Sequence, residues 1–229
     1  MAINRKLFFV LFLLPFMAVN AQITKKQNVA MQKKYYVQIE TSLGNMTVEL
    51  FNETPRHRDN FIKLVKDGFY DSLLFHRVIK NFMIQGGDPK SKNAKPGQEL
   101  GDGMLDYLVP AEFVPTIIHR RGALAAARQG DAVNPTKASS PCQFYIVQGN
   151  VWSEDHLKMM AQRYGMNLSD QQIKVYTTEG GTPHLDGEYT VFGQVIEGMD
   201  VIDKIADQRC DAANRPLGDI RMKMRVVER

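Results

Sequence analysis

The stretch Phe75-His76-Arg77-Val78-Ile79-Lys80-Asn81-Phe82-Met83-Ile84-Gln85-Gly86-Gly87-Asp88 decides how the rest of the chain is read. It sets one arginine and one glutamine among the apolar side chains of Val78, Ile79, Phe82, Met83 and Ile84. Taking an unpaired charge out of water is costly, so an arginine in such a setting needs a partner or a task. The alternation from Ile79 to Gln85 reads as strand. Gly86-Gly87 marks a place where the backbone turns sharply or approaches a neighbour closely.

Period-two patterns continue on both sides. Tyr35-Tyr36-Val37-Gln38-Ile39-Glu40-Thr41 and Met46-Thr47-Val48-Glu49-Leu50-Phe51 alternate, with Ser42-Leu43-Gly44-Asn45 as the turn of a hairpin. Further short β-like segments fall at 73–78, 82–85, 122–127, 143–147, 190–196 and 220–227. Two helices stand among them. Thr54 can cap the first, Pro55 suits its first position, Phe61, Leu64 and Val65 share a face, and Gly68 ends it. The second runs from about Met199 to Ala206, with Val201, Ile202 and Ile205 as its apolar side. Many short strands with two helices argue for a mainly β domain, an antiparallel barrel or sandwich.

Residues 150–184 break the pattern with a helical hairpin. Ser153 caps a helix that Gly165 stops, and Ser169 with Gln172 forms a capping box at the start of another. Leu157, Met160, Tyr164 and Ile173 are expected to pack this insert. Trp152 and the flexible Met159-Met160 pair offer an alternative use in holding unfolded clients.

At the N-terminus Arg5 and Lys6 precede an apolar run over 7–19, and Val19-Asn20-Ala21 supplies small residues for cleavage. This predicts a signal peptide at 1–21, cut after Ala21, and a periplasmic or secreted protein with no stable membrane insertion afterwards. Residues 22–34 are polar and basic and read as a flexible lead-in to a domain over 35–229. Removing Arg5 and Lys6 takes the formal charge from +4 to +2 (4 − 2), which gives no electrostatic reason to expect nucleic acid. The 44% hydrophobic content suffices for one ordinary core. Cys142 and Cys210 read as two unrelated thiols, with a disulfide between them as the alternative in an oxidising compartment. The five histidines show no ligand spacing, so no metal site is expected. No local base supports Cys142 as a nucleophile, and Ser139-Ser140 lacks a nucleophile elbow.

Four segments in order carry a resemblance. Phe75 to Asp88 is the first. Gly122-Ala123-Leu124-Ala125-Ala126-Ala127-Arg128 is the second and Ser139-Ser140-Pro141-Cys142-Gln143-Phe144-Tyr145-Ile146 the third. Leu185-Asp186-Gly187-Glu188-Tyr189-Thr190-Val191-Phe192-Gly193-Gln194-Val195 is the fourth. Together they resemble the cyclophilin-type peptidyl-prolyl cis-trans isomerases over about 35–228, apart from the insert. The resemblance implies a closed eight-stranded antiparallel β-barrel with a helix over each open end. It implies an exported bacterial isomerase of X–Pro bonds with proline-containing unfolded polypeptides as partners, no cofactor, and a monomeric state.

By the same resemblance Arg77 is the catalytic residue. Phe82, Met83, Tyr145 and Leu185 line the pocket for the proline ring. Gln85 and Gln143, with the backbone at Ala127 and Arg128, hold the peptide, and Tyr189 adds an aromatic wall. A rival from another class is a proline-peptide-binding chaperone or adaptor with little turnover. Taken without the resemblance, Phe82, Met83, Tyr145 and Leu185 are plain core, Arg77 a structural ion-pair arginine, and Gln85 and Gln143 strand-edge polar residues.

The chain departs from the family pattern in places. Tyr145 brings a hydroxyl that needs a partner or water. Tyr189 stands where many relatives have histidine. The loop 129–138 is long and places Asp131, Asn134 and Lys137 at the cleft rim. His184 replaces the tryptophan with which some relatives contact cyclosporin. Cyclosporin is therefore expected to inhibit weakly, and inhibition at low nanomolar concentrations in an isomerisation assay would contradict this.

Overall fold

In a computed structural model the chain divides into two units, 1–33 and 34–229, and the structure describes residues 33–228. The expected signal peptide and residues 22–32 of the lead-in lie outside the described residues. Strands β1 (Tyr35–Thr41) and β2 (Gly44–Leu50) form the hairpin, Thr41 pairing with Gly44 across its end. Then follow α1 (Pro55–Lys66), β3 (Phe75–Ile79) and β4 (Met83–Gly86), and after a long loop β5 (Ala123–Ala126) and β6 (Phe144–Val147). The insert contains α2 (Glu154–Tyr164) and α3 (Asp170–Thr178), after which β7 (Val191–Glu197), α4 (Met199–Ala206) and β8 (Met222–Val227) complete the domain. All named strand pairs are antiparallel, in the order β3-β4-β6-β5-β7-β2-β1-β8.

The expected closed barrel needs correcting. The sheet is an open half-barrel, because its edge strands β3 and β8 share no ladder. The exposed edge of β3 is met by the irregular segment leading into β8. Phe75 N–H donates to Ile220 O (3.0 Å) and Val78 N–H to Asn214 O (2.8 Å), and an isolated bridge joins Leu74 to Arg221. Pro216 and Gly218 lie in that segment; neither suits a continuous strand, so the seam is covered by loop.

Helix α1 packs against β7 and β8, and α4 against β2, β3 and β4. Phe61 of α1 meets Phe144 edge-on at 5.7 Å and Phe192 at 5.3 Å, while Val201, Ile202 and Ile205 of α4 are buried in the same core. The start of α1 is not capped as expected. Thr54 makes no side-chain cap. Glu112, 55 or 56 residues away, accepts from the amides of Arg56 (3.1 Å) and His57 (3.0 Å). A carboxylate suits that position, where free N–H groups and the positive end of the helix dipole coincide.

In the insert Ser153 accepts from the His156 amide, Gly165 takes a left-handed conformation, and Ser169 and Gln172 form the reciprocal box. Ile118, Leu157 and Tyr176 make its small core, with Trp152 and Ile173 packed against them. Tyr164, expected inside, is 57% exposed. Both cysteines are free, Cys142 buried and Cys210 half-buried. Among the described residues no helix is long and apolar enough to cross a membrane.

Gly87 sits at φ +93°, and a Cβ there would lie 2.1 Å from the carbonyl oxygen of Cys142. Gly130 has nothing within 4 Å. Gly87→Ala should therefore cost about 3 kcal/mol or more in a denaturation series, and Gly130→Ala within about 0.5 kcal/mol of wild type.

Candidate active site

Alternation along β4, β5 and β6 sends one set of side chains into the main core and the other set outward. Ile84, Leu124, Ala126, Phe144 and Ile146 face the core. Met83, Ala123, Ala125, Tyr145 and Val147 face the other way and are also buried, with Phe82, Ala127, Leu185 and Tyr189 packed over them. Both faces being covered explains why these strands read as unbroken apolar runs. The outer layer forms a cleft of about 480 Å³. Phe82, Met83, Tyr145 and Leu185 supply its apolar wall, and Arg77, Gln85, Ala127, Arg128 and Tyr189 also line it, together with His76 and the loop at Leu100–Asp102. Of the residues expected to catalyse or to bind substrate, Gln143 alone does not line it, and His184 and the expected rim residues Asp131, Asn134 and Lys137 lie outside the lining as well. A larger cleft of about 630 Å³ lies between α3 and β7. Its charged groups are already paired, Glu49 with Lys34 and Arg120 with Glu179.

Arg77 is half-buried on β3, and among the described residues no carboxylate lies within ion-pairing distance of it. Its Nη1 donates to Gln85 Oε1 at 3.2 Å. Gln85 Nε2 donates to Gln143 Oε1 (3.1 Å), and Gln143 Nε2 donates to the carbonyls of Gly101 (2.9 Å) and Gly103 (2.6 Å). Register explains the first step, since Arg77 pairs with Gln85 across β3 and β4. Gln143 is thus a buried brace whose two N–H bonds are both used. The buried carboxylate of Asp88 holds the same loop from its other side, accepting from the amides of Lys90 (2.7 Å), Gly101 (2.5 Å) and Gly103 (3.3 Å).

The Tyr145 hydroxyl finds its partner in His119, a residue without any spacing signal in the sequence. Asp186 accepts from His119 Nδ1 (2.9 Å) and from its amide (2.8 Å), which leaves Nε2 to accept from the Tyr145 hydroxyl at 3.0 Å. Tyr176 of the insert donates to the other oxygen of Asp186 at 2.6 Å. Burial, then the neighbouring Tyr189 and Asp186, push the Tyr145 hydroxyl well above its ordinary pKa, so it stays a donor.

The guanidinium of Arg128 is engaged by the protein's own groups. It bonds Glu188 and Asp131 and lies 4.5 Å over the Tyr189 ring, holding that ring in place. Its neighbour Ala127 has its amide on Gln143 O (2.9 Å) and its carbonyl on the Ser140 amide (2.8 Å). At the rim Lys137 pairs with Glu188, and buried Asn134 organises its own loop through Ala138 (2.7 Å). His184 stacks on Phe82 at 5.9 Å.

The comparisons follow the same span. The family model described as cyclophilin type peptidyl-prolyl cis-trans isomerase matches residues 36–227. A Staphylococcus saprophyticus protein named as a peptidyl-prolyl cis-trans isomerase is 35% identical over 192 residues, 83% of this chain and 90% of its own. A Staphylococcus aureus protein so named is 34% identical over 198 residues, 86% of this chain and 93% of its own. A crystal structure of a Cryptosporidium parvum cyclophilin type isomerase superposes with TM-score 0.62 at 26% identity, over 86% of this chain and 99% of that one. A crystal structure of that isomerase in the presence of the dipeptide Ala-Pro gives 0.60 at 25% identity, over 85% and 99%.

His76, 3% exposed beside Arg77, has no hydrogen-bond partner on either ring nitrogen among the described residues. Burial lowers its pKa from 6.5 to about 4. The unfolded chain binds this proton at higher pH than the folded one, so stability is lost as pH falls from 6.5 towards 4. The loss from this group is about 3 kcal/mol. Burial lowers the pKa of His57 as well, in the same direction. Denaturation midpoints measured from pH 7 to pH 4.5 should fall steeply for wild type and less for His76→Phe.

Proposed function

Since the chain belongs to the cyclophilin-type peptidyl-prolyl cis-trans isomerases, we propose that it accelerates X–Pro rotation with Arg77 acting on the proline nitrogen above an apolar pocket. The observation that carries this reading is Arg77 itself. It is a half-buried cation without a carboxylate partner among the described residues, held by Gln85 at the edge of a cleft walled by Phe82, Met83, Tyr145 and Leu185. The ligand class follows the Ala-Pro dipeptide used with the Cryptosporidium relative.

Rotation about X–Pro faces a barrier of ~18–20 kcal/mol because amide resonance is lost on the way, and uncatalysed exchange takes tens of seconds or longer. The planar amide is charge-separated; the twisted one is less so and regains a lone pair on nitrogen. An apolar wall therefore disfavours the planar form, and an Arg77 N–H bonds the freed lone pair. Both act more strongly on the transition state than on either ground state, which is the condition for catalysis. No covalent intermediate arises. Gln85 orients Arg77 through its oxygen and retains one N–H for a substrate carbonyl, while Gln143 positions Gln85 from behind. With a signal peptide at 1–21, the clients are exported polypeptides folding in the periplasm or outside the cell.

Arg77→Ala should lower kcat/KM for an Ala–Pro peptide by about 10²-fold or more, with far less change in peptide affinity. Exchange measured by NMR and affinity measured by calorimetry check both halves. Slow turnover by the wild type with intact binding would favour the adaptor reading.

A further inference from the structure

A second cleft of about 350 Å³ begins where the first ends, with Tyr189 lining both. Ile117, Leu168 and Val191 are among its lining residues, and Phe113 and Tyr164 also line it. Tyr164 ends α2, and Leu168 lies in the turn between α2 and α3. Phe113 is 39% exposed and Tyr164 57% exposed, and two large rings left in water beside a concave surface suit a contact made with something else.

The charged groups along this cleft decide its ligand. Glu112 pairs with His57, Asp186 with His119, and Glu188 with Arg128 and Lys137. Each carboxylate already has a partner inside the protein, Glu112 and Asp186 a histidine ring and Glu188 two cations, so none depends on the ligand for a hydrogen bond, and the apolar side chains are the surface left to fill. A peptidyl-prolyl isomerase takes polypeptides, and a polypeptide lying in the first cleft must continue past its walls. An extended chain advances about 3.3–3.6 Å per residue, so two or three residues carry it roughly 7–11 Å beyond the proline, enough to pass a neighbouring side chain such as Tyr189.

We infer that the cleft beyond Tyr189 is a substrate subsite built by the insert, which accepts a bulky apolar side chain two or three residues from the proline. The inference rests on the isomerase reading above and adds a sequence preference to it. Contact so far from the rotating bond is the same in the planar and twisted states. It lowers KM and leaves kcat nearly unchanged.

The test uses the full chain and NMR exchange on a tetrapeptide with one Ala–Pro bond, and on longer peptides with tryptophan or serine two or three residues before or after the proline. For the wild type, tryptophan on one side should lower KM about tenfold relative to serine. The variant Phe113→Ser/Tyr164→Ser alters only exposed rings outside the catalytic cleft. It should abolish that difference while keeping tetrapeptide kcat/KM within about twofold of wild type, which also reports that it folds. No tryptophan preference in the wild type, or a preference that survives in the variant, overturns the subsite alone. Failure of the wild type to turn over even the tetrapeptide overturns the isomerase reading and the subsite with it.

Discussion

The close approach of Gly87 to the chain at Cys142 and Gln143 is the constraint on which the cleft beside Arg77 depends. Only a residue without a side chain allows it, since a Cβ would meet the Cys142 carbonyl and lie 3.0 Å from Gln143 Cα. The approach lays Gln143 behind Gln85 and within reach of Gly101 and Gly103. A buried amide group must have its donors and acceptor satisfied, and here that requirement ties a strand end, a second strand and a loop together. Arg77 stands at the far end of this chain of bonds, aimed by register and by Gln85. The charge in an apolar setting is thereby tolerated without being neutralised by a carboxylate among the described residues.

The outer face of β4, β5 and β6 is covered by segments distant in sequence, and carboxylates organise that cover. Glu112 caps α1 and meets His57 at 2.7 Å, whose other ring nitrogen is 2.9 Å from buried Ser139. The arrangement resembles a serine–histidine–acid relay, but Ser139 is 1% exposed and its place is structural, tying α1 to the loops on either side. Asp186 does the corresponding work at the other end, joining His119, Tyr176 and through them Tyr145. The insert is thus connected to the apolar wall of the cleft by hydrogen bonds as well as by chain, and its exposed turn lines the second cleft with Tyr189.

Local patterns were legible wherever the physics is local. The hairpin at Tyr35 to Leu50, the Pro55 helix start, the αL stop at Gly165 and the Ser169–Gln172 box depend on neighbours a few residues apart. Short apolar segments marked β4 and β6, and the four motifs pointed to residues that, Gln143 apart, line one cleft. Thr54 misled because its hydroxyl competes with a carboxylate that arrives from Glu112. Tyr164 misled because an aromatic at a helix end reads the same whether it faces a core or a cleft. Gln143 read as a substrate-facing residue because sequence position does not reveal which amide is already saturated.

The sequence by itself determined the β-rich class, the family, the insert and the position of Arg77, because each is written in spacing, turn chemistry or motif. The tertiary structure alone decided that the half-barrel stays open at β3 and β8 and that His119 completes Tyr145. It also decided that Gln143 braces and that a second cleft adjoins the first at Tyr189. These depend on which distant groups meet in space. Burial, hydrogen-bond saturation and pKa follow from that meeting and have no signature along the chain.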